Sequence, residues 1–110
     1  MLYELAWAAG LFEGEGTVYV SYDRRWPDTP SFYAAVRMTD EDSVRRFQTA
    51  VSTGKVYGPY PNGLRRNGLP TKPVWVWQVN SFEKVQAIIA MLWPGLGERR
   101  RAQATAVLTV

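Results

Sequence analysis

The stretch that decides the fold of this chain reads Ala8-Ala9-Gly10-Leu11-Phe12-Glu13-Gly14-Glu15-Gly16. With the apolar residues that precede it, this stretch predicts a helix over residues 2–14 whose apolar side chains point in nearly every direction. Such a helix has to be buried on more than one side. Because a terminal helix in a chain of 110 residues normally keeps one wet face, we expect a second molecule to supply part of the cover.

Small residues recur along this helix at intervals of four, at Ala6, Gly10 and Gly14. Positions four apart lie on one face of a helix, so another helix backbone could approach closely along this strip. The strip predicts a helix–helix seam, most simply between two copies of the chain. Glycine is the usual residue at a C-terminal cap, so Gly14 and Gly16 are expected to end the helix and to leave Glu15 on the turn.

Two acids, Glu13 and Glu15, stand at the C-terminal end of the predicted helix. Plain solvation is the alternative explanation for such a pair. However, an acid there faces the negative end of the helix dipole, which costs roughly 0.3 to 1 kcal/mol. If the seam joins two copies, two Glu15 carboxylates meet across a two-fold axis, and a cation would relieve their repulsion. This arrangement predicts a site for Mg²⁺ or another hard divalent cation.

Composition limits the remaining chemistry. The chain has no cysteine and no histidine, which excludes disulfides, thiolate catalysis, zinc–thiolate sites and the commonest general base. A hydrophobic share of 46% is enough for one domain over residues 1–110, and no segment is long enough to span a membrane. No secretory leader is visible, so we expect an intracellular protein. We also expect no small-molecule cofactor. The net charge of +3 permits a polyanionic partner without demanding one.

Beyond the motif, the pattern predicts a helix followed by a two-stranded hairpin, twice, and then further helices. The expected strands are 17–25, 31–38, 55–60 and 74–80, with a turn at 26–30. Thr39 or Asp40 is expected to cap the second helix, which Gly54 ends. Ser81 is expected to cap a third helix, and residues 97–110 to form the terminal one. The predicted fold class is α+β, with the order αββαββα and a four-stranded antiparallel sheet whose helices lie on one face.

Because the helices cover one face, the other face of the sheet would stay open and polar. Plain solvent exposure is the alternative for such a face. Mixed Arg, Gln, Ser, Asp and Tyr side chains are also those that read base edges in a major groove, and basic residues near a hairpin tip suit phosphates. The residues expected to bind nucleic acid are Tyr19, Ser21, Asp23, Arg25, Tyr33, Arg37, Tyr57, Arg65, Arg66, Lys72 and Gln78.

The motif resembles the signature of the LAGLIDADG homing endonucleases. Further similarity lies in Thr39-Asp40-Glu41-Asp42, Gly54-Lys55-Val56-Tyr57, Trp75-Val76-Trp77-Gln78-Val79, Leu92-Trp93-Pro94-Gly95-Leu96 and Arg99-Arg100-Arg101-Ala102-Gln103-Ala104. The order and spacing of these pieces, over nearly the whole chain, are more specific than the motif alone. The resemblance implies the αββαββα fold with a saddle-shaped sheet. For a chain with one motif it also implies a homodimer that sits over double-stranded DNA, with the motif helices packed at the two-fold axis.

The resemblance also implies Mg²⁺-dependent hydrolysis of phosphodiester bonds in a long, nearly palindromic DNA site. In that family the second acid of the motif binds the metal, which carries over to Glu15, together with main-chain oxygen near Gly14. Both Arg99 and Arg100 remain open as the match to the family's basic position. The residues implied to order solvent and offset charge in the transition state are Asp40, Arg45, Arg99 and Arg100.

Two functions compete on this resemblance. The first is a site-specific DNA endonuclease carried by an intron, an intein-like element or a phage. The second is a non-cleaving nucleic-acid binder on the same scaffold, such as an intron maturase or a transcriptional regulator, because the chain ends soon after the core. A third and less favoured alternative is a small dimeric α+β protein without a nucleic-acid role. We favour the endonuclease.

Overall fold

The computed structural model describes residues 2–110, which form a four-stranded antiparallel sheet and four α-helices. Numbered along the chain, the first strand lies beside the second, the second beside the fourth, and the fourth beside the third. The predicted α+β class and the predicted order of elements are confirmed. In chain order the elements are α1 (Leu2–Glu15), β1 (Gly16–Asp23), β2 (Trp26–Met38), α2 (Glu41–Val51), β3 (Lys55–Tyr60), β4 (Val74–Val79), α3 (Phe82–Leu92), a 3₁₀ turn (Trp93–Gly95) and α4 (Glu98–Leu108).

The apolar core lies between the helices and one face of the sheet. Trp77 of β4 is fully buried, and its ring packs edge-on against Phe47 of α2 with the centroids 4.7 Å apart. Phe12 of α1 stacks on Phe47 at 6.1 Å. The same cluster takes in inward-facing residues of the other elements, among them Val18, Val36, Val79, Ile88 and Ala104. The helices therefore cover one face of the sheet and leave the other open, as predicted.

The first hairpin differs from the prediction. β2 begins at Trp26, directly after a short turn, so the turn predicted at 26–30 is wrong. Pro27 and Pro30 indicated a turn, but proline is tolerated at bulges and at free strand edges. The register between β1 and β2 is interrupted in this region, and β4 pairs only with the second half of β2. Neither proline therefore has to break a continuous ladder.

The motif helix also runs further than predicted. α1 continues through Gly14 to Glu15, and β1 follows at once, so Glu15 is the last helical residue and not part of a turn. Gly16 permits this sharp exit, because a Cβ on it would lie 2.5 Å from the Phe12 ring. α2, by contrast, ends before Gly54, at Val51, and Ser52 caps it with a left-handed φ of 58°.

The predicted helix starts are confirmed. Asp40 is the N-cap residue of α2, and Ser81 caps α3 by accepting a hydrogen bond from the N–H of Lys84 at 3.2 Å. The terminal helix lies inside the predicted range 97–110. Over residues 2–110, none of the helices has the length and apolar character that a bilayer crossing requires.

Candidate active site and nucleic-acid interface

Glu15 lies at the edge of the open sheet face. Its side chain is exposed, and among residues 2–110 it has no ion-pair partner. It lines a pocket of about 360 Å³ with Arg37, Thr39 and Asn62, while Met38 and Val74 supply the apolar wall. The end of α1, the end of β2 and the loop after β3 meet here. A carboxylate in this position is available to a ligand.

Glu13 has the opposite surroundings. Its Oε2 accepts a hydrogen bond from the N–H of Gly97 at 2.7 Å, and its main-chain oxygen accepts one from Nη2 of Arg100 at 3.0 Å. A Cβ on Gly97 would lie 2.9 Å from Glu13 Oε1, so glycine permits this close approach. A carboxylate at the start of α4 is also favoured by the helix dipole. Glu13 therefore ties the last turn of α1, which carries Glu15, to α4.

The structure separates the three consecutive arginines. Arg100 is only 8% exposed, its Nη1 donates to Gln103 Oε1 at 2.7 Å, and its Nε has no partner within residues 2–110. Arg101 donates from Nη2 to the Trp93 carbonyl at 2.9 Å and lies over that ring, 4.9 Å from its centroid. Arg99 is exposed. Of the two arginines that the sequence left open, only Arg99 is free to meet a ligand at the surface.

Two other residues expected at the site, Asp40 and Arg45, are engaged within α2. Asp40 Oδ2 accepts a hydrogen bond from Ser43 Oγ at 2.7 Å. Arg45 Nε donates to Glu41 Oε2 at 2.8 Å, and its guanidinium lies 5.4 Å from the Trp75 ring centroid. Both side chains are exposed, and neither lines the Glu15 pocket.

The predicted strip of small residues is an open surface. Ala6, Gly10 and Gly14 are exposed, and a Cβ at either glycine would meet nothing within 4 Å. Tyr3, which is 74% exposed, lies on the same side of the helix by its spacing. An apolar groove runs beside the strip, lined by Leu5, Ala6, Ala9, Met91, Leu92, Pro94 and Gly95. Ala6, Gly10 and Gly14 are therefore accessible to a second helix.

The open sheet face arranges polar side chains in cross-strand rows. Arg37 of β2 pairs with Val76 of β4, which pairs with Tyr57 of β3. In the next row, Gln78 of β4 pairs with Lys55 of β3. Directly paired residues lie on the same face of a sheet, so these side chains form one surface. Arg37 belongs both to this surface and to the Glu15 pocket.

On the β1 side, the face is organised by two aromatic rings. Tyr19 and Tyr33 pair across β1 and β2 and stack with their centroids 4.9 Å apart. Gln78 Nε2 donates a hydrogen bond to Tyr19 Oη at 3.4 Å. Ser21 follows Tyr19 on the same face and is exposed. Packing thus restrains these planar side chains while their polar atoms face solvent.

Arg25 does not lie on the strand where the sequence placed it. It follows β1 in the hairpin turn, and its main-chain N–H donates to Asp23 Oδ1 at 2.8 Å, with its Nε at 3.4 Å from the same oxygen. The main-chain hydrogen bond, followed by the one from the guanidinium, holds the pKa of Asp23 below its ordinary value. The prediction that Arg25 extends the regular face is therefore wrong.

The long connection between β3 and β4 is exposed and basic, as its sequence indicates. Arg65, Arg66 and Lys72 all lie on this surface. Main-chain hydrogen bonds at Arg65 close the tip of the connection, and Thr71 Oγ1 donates to the Asn62 carbonyl at 2.8 Å near its base. This closure brings Asn62 to the Glu15 pocket, which no sequence periodicity indicated.

The oxygen atoms at the Glu15 pocket are ligands of the type that a hard cation binds, but one chain supplies too few of them. One chain brings one carboxylate to the pocket, and within the described residues no group of three or more acidic side chains is arranged so that it could hold a metal ion. Mg²⁺ takes six oxygen ligands and is commonly held by one or two carboxylates with waters and phosphates. A second carboxylate and most of the other ligands would therefore come from outside this chain.

Comparison with solved structures identifies the fold. The chain matches the homing endonuclease I-CvuI in complex with the I-CreI target and Mg, with a TM-score of 0.71 over 98% of this chain at 20% identity. It matches the LAGLIDADG meganuclease I-AabMI bound to uncleaved DNA with a TM-score of 0.71 over 94% at 17% identity. The archaeal intron-encoded I-Vdi141I complexed with DNA gives 0.58 over 84% at 14%. The chain therefore has the fold of the LAGLIDADG homing endonucleases.

The chain covers only part of each solved structure that it matches. This chain spans 65% of the I-CvuI chain, 34% of the I-AabMI chain and 55% of the I-Vdi141I chain. No protein-family model and no curated protein matches the sequence. The structural likeness thus establishes the fold, and the function has to be argued from the site.

Proposed function

We propose that this protein belongs to the LAGLIDADG homing endonucleases and is a site-specific, Mg²⁺-dependent DNA endonuclease. It would act as a homodimer on a long, nearly palindromic double-stranded site. The observation that carries the proposal is the position of Glu15. Its carboxylate lies where the open strip of α1 meets the open face of the sheet. Solved proteins with this fold are described as bound to DNA.

The open sheet face is the surface proposed to contact DNA. Arg37 and Gln78 can make the bidentate contacts to guanine and adenine edges that discriminate bases by about 1 to 3 kcal/mol each. The Tyr19–Tyr33 stack would hold Gln78 in place, since Tyr19 accepts its hydrogen bond. The exposed Arg65, Arg66 and Lys72 would contact the backbone or bases nearer the end of the site.

The exposed strip on α1 is the surface proposed to form the dimer. Two copies that meet along Ala6, Gly10 and Gly14 would bury the apolar side of α1 that a single chain leaves in water. They would also bring the two Glu15 residues, each at the end of its helix, toward the same two-fold axis. Dimerisation thus supports the proposed activity by completing the metal ligands.

The ligands for Mg²⁺ would be the Glu15 carboxylates and main-chain oxygens at Gly14 of both copies, together with phosphate oxygens. The bound ion would supply a more acidic water and stabilise the leaving oxygen. Thr39 and Asn62 line the same pocket and present a hydroxyl and an amide that can orient water and phosphate.

The two arginines at the start of α4 are proposed to have different roles. Arg99 is exposed and is the stronger choice for a basic residue that meets the phosphate. Arg100 is buried against Glu13 and Gln103, so we propose that it positions the end of α1 and does not contact DNA.

One observation favours the second candidate, a non-cleaving binder such as a maturase or a transcriptional regulator. Asp40, Arg45 and Arg100, three of the residues expected to assist hydrolysis, are engaged in contacts within the protein. Binding by the open face does not depend on these residues. The two candidates therefore differ in strand breakage and not in affinity.

The experiment that separates them uses purified protein and a randomised DNA library, with and without Mg²⁺, and scores enrichment and strand breaks separately. The endonuclease proposal expects both, and Glu15→Gln should lower Mg²⁺-dependent cleavage by at least about 100-fold while DNA affinity is retained. Glu83→Gln, which removes an exposed carboxylate on α3, should cut normally. Enrichment without strand breaks would favour the non-cleaving binder. Cutting by Glu15→Gln at the wild-type rate would remove Glu15 from the mechanism. The absence of both enrichment and strand breaks would overturn both candidates.

A further inference from the structure

We infer that a second pocket, which opens beside the sheet face, binds a phosphate of the DNA backbone. The pocket has a volume of about 190 Å³, and its polar lining comes from Lys55, Tyr57, Gln78, Asn80 and Lys84. This inference rests on the proposed DNA binding and adds to it a contact that neither the motif nor the base-reading pattern indicates.

The side chains that line the pocket carry a net positive charge. Lys55 and Lys84 are two of the three lysines in the whole chain, yet both line this one pocket. None of the lining residues is acidic, and within residues 2–110 neither lysine has an ion-pair partner. A lysine ammonium is a compact point charge with three hydrogen-bond donors, and it binds phosphate, as arginine also does. The lining therefore matches a phosphate in charge and in hydrogen-bond donors.

The fold holds the two lysines from different elements. Lys55 begins β3 and shares a cross-strand row with Gln78 on the open face. Lys84 lies in the first turn of α3, where its N–H donates to the capping Ser81 hydroxyl at 3.2 Å. The backbone before Lys55 is fixed as well, because Gln48 Nε2 donates to the Gly54 carbonyl at 2.9 Å. The backbone around the pocket is thus constrained in the folded chain.

The position of the pocket separates it from the Glu15 site. No residue lines both pockets. Lys55 lies on β3, two strands away from Arg37 on β2, which is roughly 10 Å across the sheet. A duplex over the open face would extend across both regions. The lysines can therefore be changed without touching the residues proposed to act at the cleaved phosphate.

The test measures how DNA affinity depends on KCl for the full chain and for Lys55→Gln/Lys84→Gln. Each lost phosphate contact lowers the slope of log affinity against log salt by about 0.9, so one to two contacts should lower it by about 0.9 to 1.8. Affinity at 0.15 M KCl should fall by about tenfold on every sequence alike. The matched control Lys55→Arg/Lys84→Arg keeps both charges and should keep the slope.

Three results would overturn the inference. An unchanged slope for Lys55→Gln/Lys84→Gln, with wild-type DNA binding intact, would remove this pocket from the DNA contact while leaving the proposed function standing. In a second experiment, inorganic phosphate is titrated into the protein without DNA, and binding is measured from the NMR shifts of the pocket amides. Saturation by free phosphate with an unchanged DNA slope would assign the pocket to a small phosphate ligand. Failure of the wild-type protein to bind any DNA would overturn the proposed function as well.

Discussion

The two sides of α1 differ in what covers them. On the packed side, Ala8 and Phe12 are fully buried, and Glu13 is bound to Gly97 and Arg100 of the α4 region. On the open side, the small-residue strip faces solvent and leads to a Glu15 carboxylate without an ion-pair partner in the described part of the chain. Two acids separated by one residue thus have opposite surroundings.

This difference explains how one short stretch can contribute to both the fold and the proposed function. The packed side fixes the direction of α1 against the sheet, and it holds the last turn through hydrogen bonds to α4. The open side keeps an apolar surface and a charged group in water, which a stable monomer has no need to do. The packed side therefore serves stability, and the open side is the surface proposed to serve association and chemistry.

The largest effect should come from the packed side. Phe12→Ala removes a fully buried ring that stacks on Phe47, and it should lower the free energy of unfolding by about 3 to 5 kcal/mol. Tyr3→Ala, at a position 74% exposed on the open side, should change it by only about 0.5 kcal/mol in the monomer. Urea titration of dilute protein measures both. Similar losses for the two variants would abolish the distinction between the sides.

A matched pair of glycine substitutions sharpens the comparison. Gly16→Ala places a Cβ 2.5 Å from the Phe12 ring and should cost about 1 to 3 kcal/mol at any protein concentration. Gly10→Ala meets nothing within 4 Å and should stabilise the monomer by up to about 1 kcal/mol through helix propensity. If the strip is a dimer seam, Gly10→Ala should also weaken association, so its melting temperature should depend differently on concentration. Thermal unfolding at several protein concentrations measures both effects. A loss of stability in Gly10→Ala equal to that in Gly16→Ala would be inconsistent with an open strip.

The arginines at the start of α4 test where the packed side ends. Arg100→Met removes the donor to the Glu13 carbonyl and should lower the free energy of unfolding by about 1 to 3 kcal/mol. Arg99→Met should leave stability within about 0.5 kcal/mol and instead lower the cleavage rate at saturating DNA. Urea titration and single-turnover cleavage measure the two properties. The opposite pattern would exchange the proposed roles of the two residues.

The smallest effect concerns the other end of α1, where Glu4 binds the Arg46 guanidinium at 2.9 and 2.7 Å. The side-chain hydrogen bond from Arg46 holds the pKa of Glu4 below its ordinary value of 4.5. A lowered folded pKa gives stability that is present above the ordinary value and is lost as the pH falls through the folded value. Glu4→Gln should therefore be slightly less stable than wild type at pH 7, with the difference vanishing in acid. Urea midpoints of wild type and Glu4→Gln, measured from pH 7 down into acid, give this difference in stability, and Glu83→Gln is the control. A difference that does not depend on pH would contradict the assignment.

The sequence predicted the features that depend on local pattern. Periodic apolar positions gave the helices and the buried strand faces, and the capping residues Asp40 and Ser81 gave the starts of α2 and α3. The four-residue spacing of Ala6, Gly10 and Gly14 places them on one side of α1, which is exposed, and the seam predicted there stays a prediction. These signals report burial and backbone geometry within a few residues of chain, where side-chain identity is decisive.

The features that were missed depend on contacts between distant parts of the chain. Arg100 and Glu13 are 87 residues apart, so no local pattern distinguishes the buried Arg100 from its exposed neighbour Arg99. Asn62 reaches the Glu15 pocket only because of the register of the second hairpin and the closure of its loop. Lys84 joins Lys55 because α3 begins beside the end of β4. Tertiary packing decides each of these placements.

The central claim, that two copies meet along the open side of α1, is tested most directly by a disulfide. The chain has no cysteine, so Ala6→Cys or Gly10→Cys introduces a unique thiol on the strip, and Ala106→Cys places one on the exposed side of α4. A disulfide requires Cα atoms within about 7 Å of each other. The account predicts that at least one strip variant forms a covalent dimer under mild oxidation, at a rate far above that of Ala106→Cys. Crosslinking of both strip variants no faster than this control would contradict it.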